Sequence, residues 1–176
     1  VLLLFGVLIK CTSKGPLFFK QKRVGLHGRK FFQYKLRSMV SDAEDQKKYY
    51  MHLNEQSGPV FKIKNDPRLT NIGKFIRKFS IDELPQLFNV LLGSMTLIGP
   101  RPPVPSEVKY YKDKHLRRLS MKPGITGLWQ VSGRNKIKDF EKWVKLDLEY
   151  IDNWNFALDF KIAIKTVSTV FSGTGM

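Results

Sequence analysis

Val1-Leu2-Leu3-Leu4-Phe5-Gly6-Val7-Leu8-Ile9 runs without a polar side chain and stops at Lys10, Cys11, Thr12, Ser13 and Lys14. A bilayer-spanning helix needs about 20 apolar residues, so this run does not cross alone, and it lacks the basic start and cleavage site of a signal peptide. It reads either as a buried core helix or strand, or as the C-terminal end of a membrane-inserted helix, residues 1–14, that begins upstream. The basic flank and the absent initiator methionine favour the second reading, with Lys10 and Lys14 at headgroup level.

After Gly15-Pro16, two aromatic-rich runs, residues 17–24 and 31–37, face each other across Gly25-Leu26-His27-Gly28 and predict a β-hairpin whose polar positions are almost all basic. Residues 40–56 turn polar and predict a solvated helix or a loop. Asp66-Pro67 predicts a helix start, with Leu69, Ile72, Ile76 and Phe79 at helical spacing. Arg68, Lys74, Arg77 and Lys78 then lie off the apolar stripe, a basic amphipathic pattern that suits an anionic membrane face or a diphosphate. Leu84, Leu87, Phe88, Leu91 and Leu92 form a further stripe ending at Gly93, and residues 108–119, 140–151 and 160–171 also predict helices.

Composition changes the picture in one respect. With 42% hydrophobic and 26% charged residues the chain has the mass of one ordinary globular domain, but 31 Lys and Arg against 15 Asp and Glu leave a net charge of +16. Such a field attracts anions: nucleic acid, lipid headgroups or a phosphorylated small molecule. Cys11 alone excludes an intramolecular disulfide and a thiolate cluster, and fits an intracellular compartment. His27, His52 and His115 are scattered, form no metal-ligand pair, and read as surface or packing residues.

Against this background Ser80-Ile81-Asp82-Glu83-Leu84-Pro85-Gln86 stands out, two adjacent carboxylates directly after Lys74, Arg77 and Lys78. Ser80 and Glu83 fit a capping box, which would make the acids local structure. In a helix starting at Ile81, however, the Pro85 ring would collide with the Ile81 carbonyl, so a strained or offset start is expected. The alternative is chemistry on phosphorus, where a carboxylate acts as a nucleophile only if cations neutralise the phosphate it approaches. Lys35, Arg37, Arg77 and Arg101 are candidates. Pro100-Arg101-Pro102-Pro103 holds an arginine, with its planar fork, in a stiff turn. In residues 122–134 the glycines permit close approach to a ligand and Trp129 offers a stacking surface for a base, while Ile125, Leu128 and Val131 equally fit a strand bounded by turns.

In order along the chain, Phe19-Lys20-Gln21-Lys22-Arg23-Val24-Gly25, Lys35-Leu36-Arg37-Ser38-Met39, Asp66-Pro67-Arg68-Leu69-Thr70, Ser80 to Leu87, Gly99-Pro100-Arg101-Pro102 and Pro123-Gly124-Ile125-Thr126-Gly127 closely resemble the bacterial sugar transferases, monotopic phosphoglycosyl transferases that start polyprenyl-linked glycan assembly. Gly127 to Arg134 resembles the larger members, which handle hexose phosphates. The resemblance covers nearly all of residues 15–176 and implies an α/β, mostly helical catalytic domain with a short hairpin, without a Rossmann fingerprint, seated on the cytoplasmic face of the bacterial inner membrane. It implies Asp82 as nucleophile on a UDP-sugar, releasing UMP, and undecaprenyl phosphate as acceptor. Glu83 would be the Mg²⁺ ligand. Arg77, Arg101 and Lys35 would hold phosphates, with Arg37, Gln130 and Arg134 as further substrate-binding candidates.

Two other classes remain in view. A basic nucleic-acid-binding module fits the charge, yet the sequence carries no zinc knuckle, RNP-like signature or convincing helix-turn-helix. An inactive membrane-surface scaffold fits the apolar and basic helices, but both acids of the couplet are present. A homo-oligomer is compatible with the sequence.

Overall fold

The computed structural model describes residues 1–173 and leaves residues 174–176, the end of the expected catalytic domain, outside the described residues. Helix α1 (Leu2–Thr12) leads into an antiparallel hairpin of β1 (Phe18–Val24) and β2 (Lys30–Leu36), in register from Phe18 opposite Leu36 to Val24 opposite Lys30. The turn closes with the Gly25 N–H donating to the Arg29 carbonyl, and places His27 and Gly28 at positive φ. A short helix α2 (Ala43–Gln46) and a 3₁₀ segment (Lys47–Leu53) fill the expected polar stretch.

Helix α3 is Asn71–Lys78, shorter than expected. Thr70 caps it, its hydroxyl accepting from the Gly73 N–H at 3.0 Å. Asp66 and Arg68 are drawn inward instead of starting the helix: they form a buried two-point ion pair at 2.6 and 2.9 Å, and Arg68 also donates to the Ala43 carbonyl. The couplet lies in a 3₁₀ turn (Ile81–Glu83), and α4 (Gln86–Leu91) starts only after it. The capping box does not form, because Ser80 sits at φ 55° and makes no cap hydrogen bond. Pro85 becomes the N-cap of α4, so its ring never meets the carbonyl that an uninterrupted helix would present.

Strands β3 (Thr96–Ile98) and β4 (Gly124–Thr126) pair in parallel, Thr96 opposite Gly124 and Ile98 opposite Thr126. A Cβ on Gly124 would lie 2.1 Å from the Gly99 nitrogen, so this close approach requires glycine. Residues 108–119 are not one helix. Helix α5 is Pro105–Val108 and α6 is Asp113–Leu116, followed by a 3₁₀ turn (Arg117–Leu119); α6 restarts because His115 Nδ1 accepts the Lys112 N–H. The stretch around Trp129 divides between β4 and helix α7 (Leu128–Val131) rather than forming one strand. Helix α8 (Phe140–Asp152) matches expectation, and α9 (Phe156–Phe171) begins earlier, capped by Asn155 accepting from the Leu158 N–H at 2.8 Å.

Two apolar clusters hold these parts together. Val60, Trp129, Phe140, Trp143 and Val144 form one, and Ile9, Leu36 and Ile76 form the other. The second shows that α1 docks one face on the body through Ile9 and Phe5, which stacks on Phe75 at 5.9 Å. Its other face leaves Leu3, Leu4 and Val7 exposed. Residues of α1 thus make a core contact on one face and present an apolar outer face on the other. Among the described residues no helix is long and apolar enough to cross a membrane. The sheets are two pairs of strands, and the described residues carry no large Rossmann-type sheet.

Candidate active site

The couplet is positioned by hydrogen bonds from the hairpin. Asn89 on α4 accepts the Tyr34 N–H at 3.1 Å and donates to the Phe32 carbonyl at 2.7 Å, while Gln33 donates to Gln86 at 2.9 Å. These contacts lock the start of α4 against β2, and so bring Lys35 to Glu83, with 2.7 Å between Nζ and Oε1. Helix α3 approaches on another side. A Cβ on Gly73 would fall 1.8 Å from the Ser38 carbonyl oxygen, and this tight seat lets Arg77 Nε donate to Ser38 Oγ at 2.9 Å.

Asp82 is 4% exposed and borders a pocket of about 200 Å³. Lys35, Arg77, Arg101, Gln130 and Arg134 share that pocket with the couplet. Arg134 donates to Ser80 Oγ at 3.0 Å and stands 4.0 Å from Glu83 Oε2. Arg101 pairs with Glu107 at 3.2 Å and lies over the Trp143 ring at 5.7 Å. Gln130 is present but donates to the Ile125 carbonyl at 3.3 Å.

Arg37 is not brought to this pocket. Its guanidinium donates to the Lys14 carbonyl, to the Ser13 carbonyl at 2.8 Å and to Ser13 Oγ at 2.9 Å, fastening the end of α1 to the hairpin. An arginine adjoining the C-terminal carbonyls of a helix is a favourable arrangement in its own right. Trp129 does line the pocket, largely buried there against Trp143 with ring centroids 4.4 Å apart.

Two cations that sequence reasoning passed over line the pocket instead, Arg23 and Lys62. Arg23 donates to the Pro102 carbonyl at 2.9 Å and to Gln21 at 2.6 Å. Burial, then Arg101, pulls its pKa down to about 9. Burial and the charges of Arg134 and Arg101 similarly pull the Lys62 ammonium to about 8. A signal existed for Arg23: it stands in phase with Phe19 and Gln21, the inward positions of β1.

The two acids are driven apart electrostatically. Burial pushes the Asp82 carboxyl up to about 6 against the attraction of Lys35, with the Glu83 charge adding to the rise. Burial also acts on Glu83, but Lys35 and Arg134 overcome it and hold that carboxyl at about 2. Glu83 is thus a fixed anion, whereas Asp82 is a desolvated carboxylate that ionises near neutrality, the condition for an activated nucleophile.

Among the described residues no cluster of three or more His, Cys, Asp or Glu could hold a metal on its own. Two adjacent carboxylates nonetheless suit Mg²⁺, which is commonly bound by one or two carboxylates together with substrate phosphates. The residues present therefore fit a cation that arrives with its substrate.

A buried carboxylate with a raised pKa on the wall of a cationic pocket has the chemistry that phosphoryl transfer requires. The model of the bacterial sugar transferase family matches residues 1–173, and the chain belongs to that family. The galactosyl transferase CpsE of Streptococcus agalactiae is 55% identical over 92% of this chain and 36% of its own length. The undecaprenyl-phosphate galactose phosphotransferase of Salmonella typhimurium is 46% identical, over 92% of this chain and 34% of its own length. The UDP-glucose:undecaprenyl-phosphate glucose-1-phosphate transferase of Xanthomonas campestris is 37% identical, over 97% of this chain and 34% of its own length. The chain spans about a third of the length of these relatives.

Proposed function

We propose that this chain is the catalytic part of a hexose-1-phosphate transferase that moves the sugar phosphate of a UDP-hexose onto undecaprenyl phosphate. The reaction would open exopolysaccharide, capsule or O-antigen assembly at the cytoplasmic face of the bacterial inner membrane. The observation that carries the reading is the contrast inside the couplet: Asp82, buried and raised toward neutrality, beside Glu83, already neutralised by Lys35. The names of the relatives supply the donor and acceptor classes.

In the first half-reaction an Asp82 carboxylate oxygen attacks the sugar-bearing phosphorus. The bond from that phosphorus to the bridging oxygen breaks, and UMP leaves with the electron pair. In the second, an oxygen of the lipid phosphate attacks the same phosphorus, the aspartyl ester bond breaks, and Asp82 is restored as a polyprenyl diphosphate sugar departs. Direct attack of one phosphate anion on another would face charge repulsion, which the two-step route divides between Lys35, Arg77, Arg101 and Arg134. Glu83 is the residue that would hold Mg²⁺, which would supply charge neutralisation for the departing UMP.

Membrane seating is part of the same reading. The exposed Phe156, Phe160, Ile164, Val167 and Phe171 recur along α9 at helical spacing, with Lys161 and Lys165 beside them. An apolar stripe flanked by lysines suits burial in the headgroup and acyl boundary.

The test is incubation of the full-length protein with Mg²⁺ and a panel of UDP-hexoses, followed by intact-mass analysis and UMP measurement with and without undecaprenyl phosphate. A sugar-phosphate adduct that maps to Asp82 and is discharged by the lipid is expected. Absence of both adduct and UMP with every donor would overturn the reading.

A further inference from the structure

The pocket at Asp82 is the middle one of three cavities in series. On one side it shares Arg23, Lys35, Lys62, Arg77 and Arg101 with a cavity of about 270 Å³, of mixed polar and apolar lining, that also reaches Phe18 and Glu44. On the other it shares Glu83, Ile125, Gln130 and Arg134 with a larger cleft of about 490 Å³. The two outer cavities have no lining residue in common.

The larger cleft is different in kind. Its walls are largely carbon, from Leu84 and Leu87, Leu97 of β3, Val131 of α7, and Ala163 and Val170 of α9. Thr126 and Thr166 also line it, but their hydroxyls hydrogen-bond each other at 2.8 Å, and Thr166 donates to the Ile162 carbonyl, so neither seeks a polar ligand. Its two charged lining residues, Glu83 and Arg134, both stand where it meets the Asp82 pocket. Leu87 and Leu97 are about half exposed, so the apolar end opens to the surface. A cleft that is apolar along its length and opens at its inner end onto the cationic Asp82 pocket complements an amphiphile with an anionic head and a hydrocarbon tail.

We infer that this cleft seats the head-proximal hydrocarbon of the lipid phosphate acceptor, so that acceptor and nucleotide reach Asp82 through separate entrances. The inference rests on the proposed function and adds a route to it. The acceptor's phosphate enters past Arg134, and the nucleotide's phosphates occupy the Arg23, Lys62 and Arg101 side. The nucleotide therefore need not cross the lipid's path to leave.

The experiment separates the half-reactions. Full-length protein in phosphatidylglycerol-containing nanodiscs is assayed for exchange of labelled UMP into UDP-hexose, which needs no lipid, and for transfer to undecaprenyl phosphate. Ala163→Trp fills the cleft from α9, and Ala163→Leu repeats the test with less bulk if the first variant does not fold. Exchange should stay within about twofold of the parent protein. The acceptor KM should rise by about tenfold or more, as expected when several buried carbons lose their site. Transfer unchanged in a folded variant would mean that another segment or a second copy covers the cleft, and would overturn the assignment while leaving the proposed function standing. Exchange falling in parallel with transfer would also overturn it, since the cleft would then belong to the donor's site. No exchange in the parent protein would remove the proposed function, and the assignment with it.

Discussion

Asp82 and Asp147 are both buried aspartates among arginines, yet they are built for opposite ends. Asp147 and Arg118 are each about 1% exposed and meet at 2.6 and 2.8 Å; Arg118 also donates to Tyr111 Oη at 2.6 Å and to the Arg101 carbonyl at 3.3 Å. That cluster is closed, one acid against one base, and its product is a clamped backbone at Arg101. Around Asp82 cations outnumber acids, and none of the ion pairs of the described residues engages it, because Lys35 and Arg134 face Glu83. A structural carboxylate is claimed by one dedicated cation, whereas a reactive one is surrounded by positive charge without being claimed by any single cation.

The sharpest way to break this contrast is Asp82→Asn. Turnover and covalent adduct should fall to background, a loss on the order of 10⁴-fold or more. The folded protein should meanwhile gain stability at neutral pH, because a desolvated charge has been removed. Stability is measured by urea unfolding of the same preparation. A variant that keeps a normal rate would end the nucleophile assignment.

Arg118→Met should act the other way round. It leaves Asp147 buried without its partner and is expected to cost about 3–5 kcal/mol of stability. Any residual folded fraction should still form the Asp82 adduct. Denaturant midpoints set against adduct yield test whether the two clusters separate as described.

A smaller effect is expected from Arg101→Lys, which keeps the charge but loses the planar fork over Trp143. The donor KM should rise by about tenfold, with the acceptor KM little changed. Steady-state kinetics in both substrates would show it, and a change confined to the acceptor would contradict the donor-side placement.

The smallest effect is in pH. The folded pKa of Asp82, about 6, lies above its unfolded value of 3.8, so between these pH values the folded state holds more proton than the unfolded one. Its contribution to stability therefore declines as pH rises through that window, by on the order of 1–3 kcal/mol in total. Glu83 has the opposite sign: held at about 2 from 4.5, it stabilises above its unfolded pKa, and that stability is lost as pH falls toward 2. The stability of the parent protein minus that of Asp82→Asn, plotted from pH 4 to 7, should fall monotonically. A flat or rising difference would mean that Asp82 is not desolvated.

Much of the framework was legible because it is local. The β1–β2 hairpin follows from aromatic runs about a glycine turn, and α8 follows from its apolar spacing. Local signals gave way where a distant partner competed for the same residue. Asp66 and Arg68 were taken into a buried ion pair that reaches Ala43, which moved the start of α3 to Thr70. Residues 108–119 broke because His115 and Arg118 turn inward to Glu141 and Asp147.

The site divides along the same line. An acidic couplet in a chain of net charge +16, with Lys35, Arg37, Arg77 and Arg101 as candidate cations, was readable from residue types and order alone, and Arg134 was added by the family resemblance. Tertiary structure decided which arginines arrive: Arg37 is held at the end of α1, and Arg23 and Lys62 take places on the pocket wall. It also decided that an apolar cleft opens beside Glu83, made from α4, β3, α7 and α9, which are far apart in the chain. The reason is physical. Turn propensity, periodicity and charge act over a few residues and are written in order along the chain, but distance, burial and desolvation exist only once remote segments pack together.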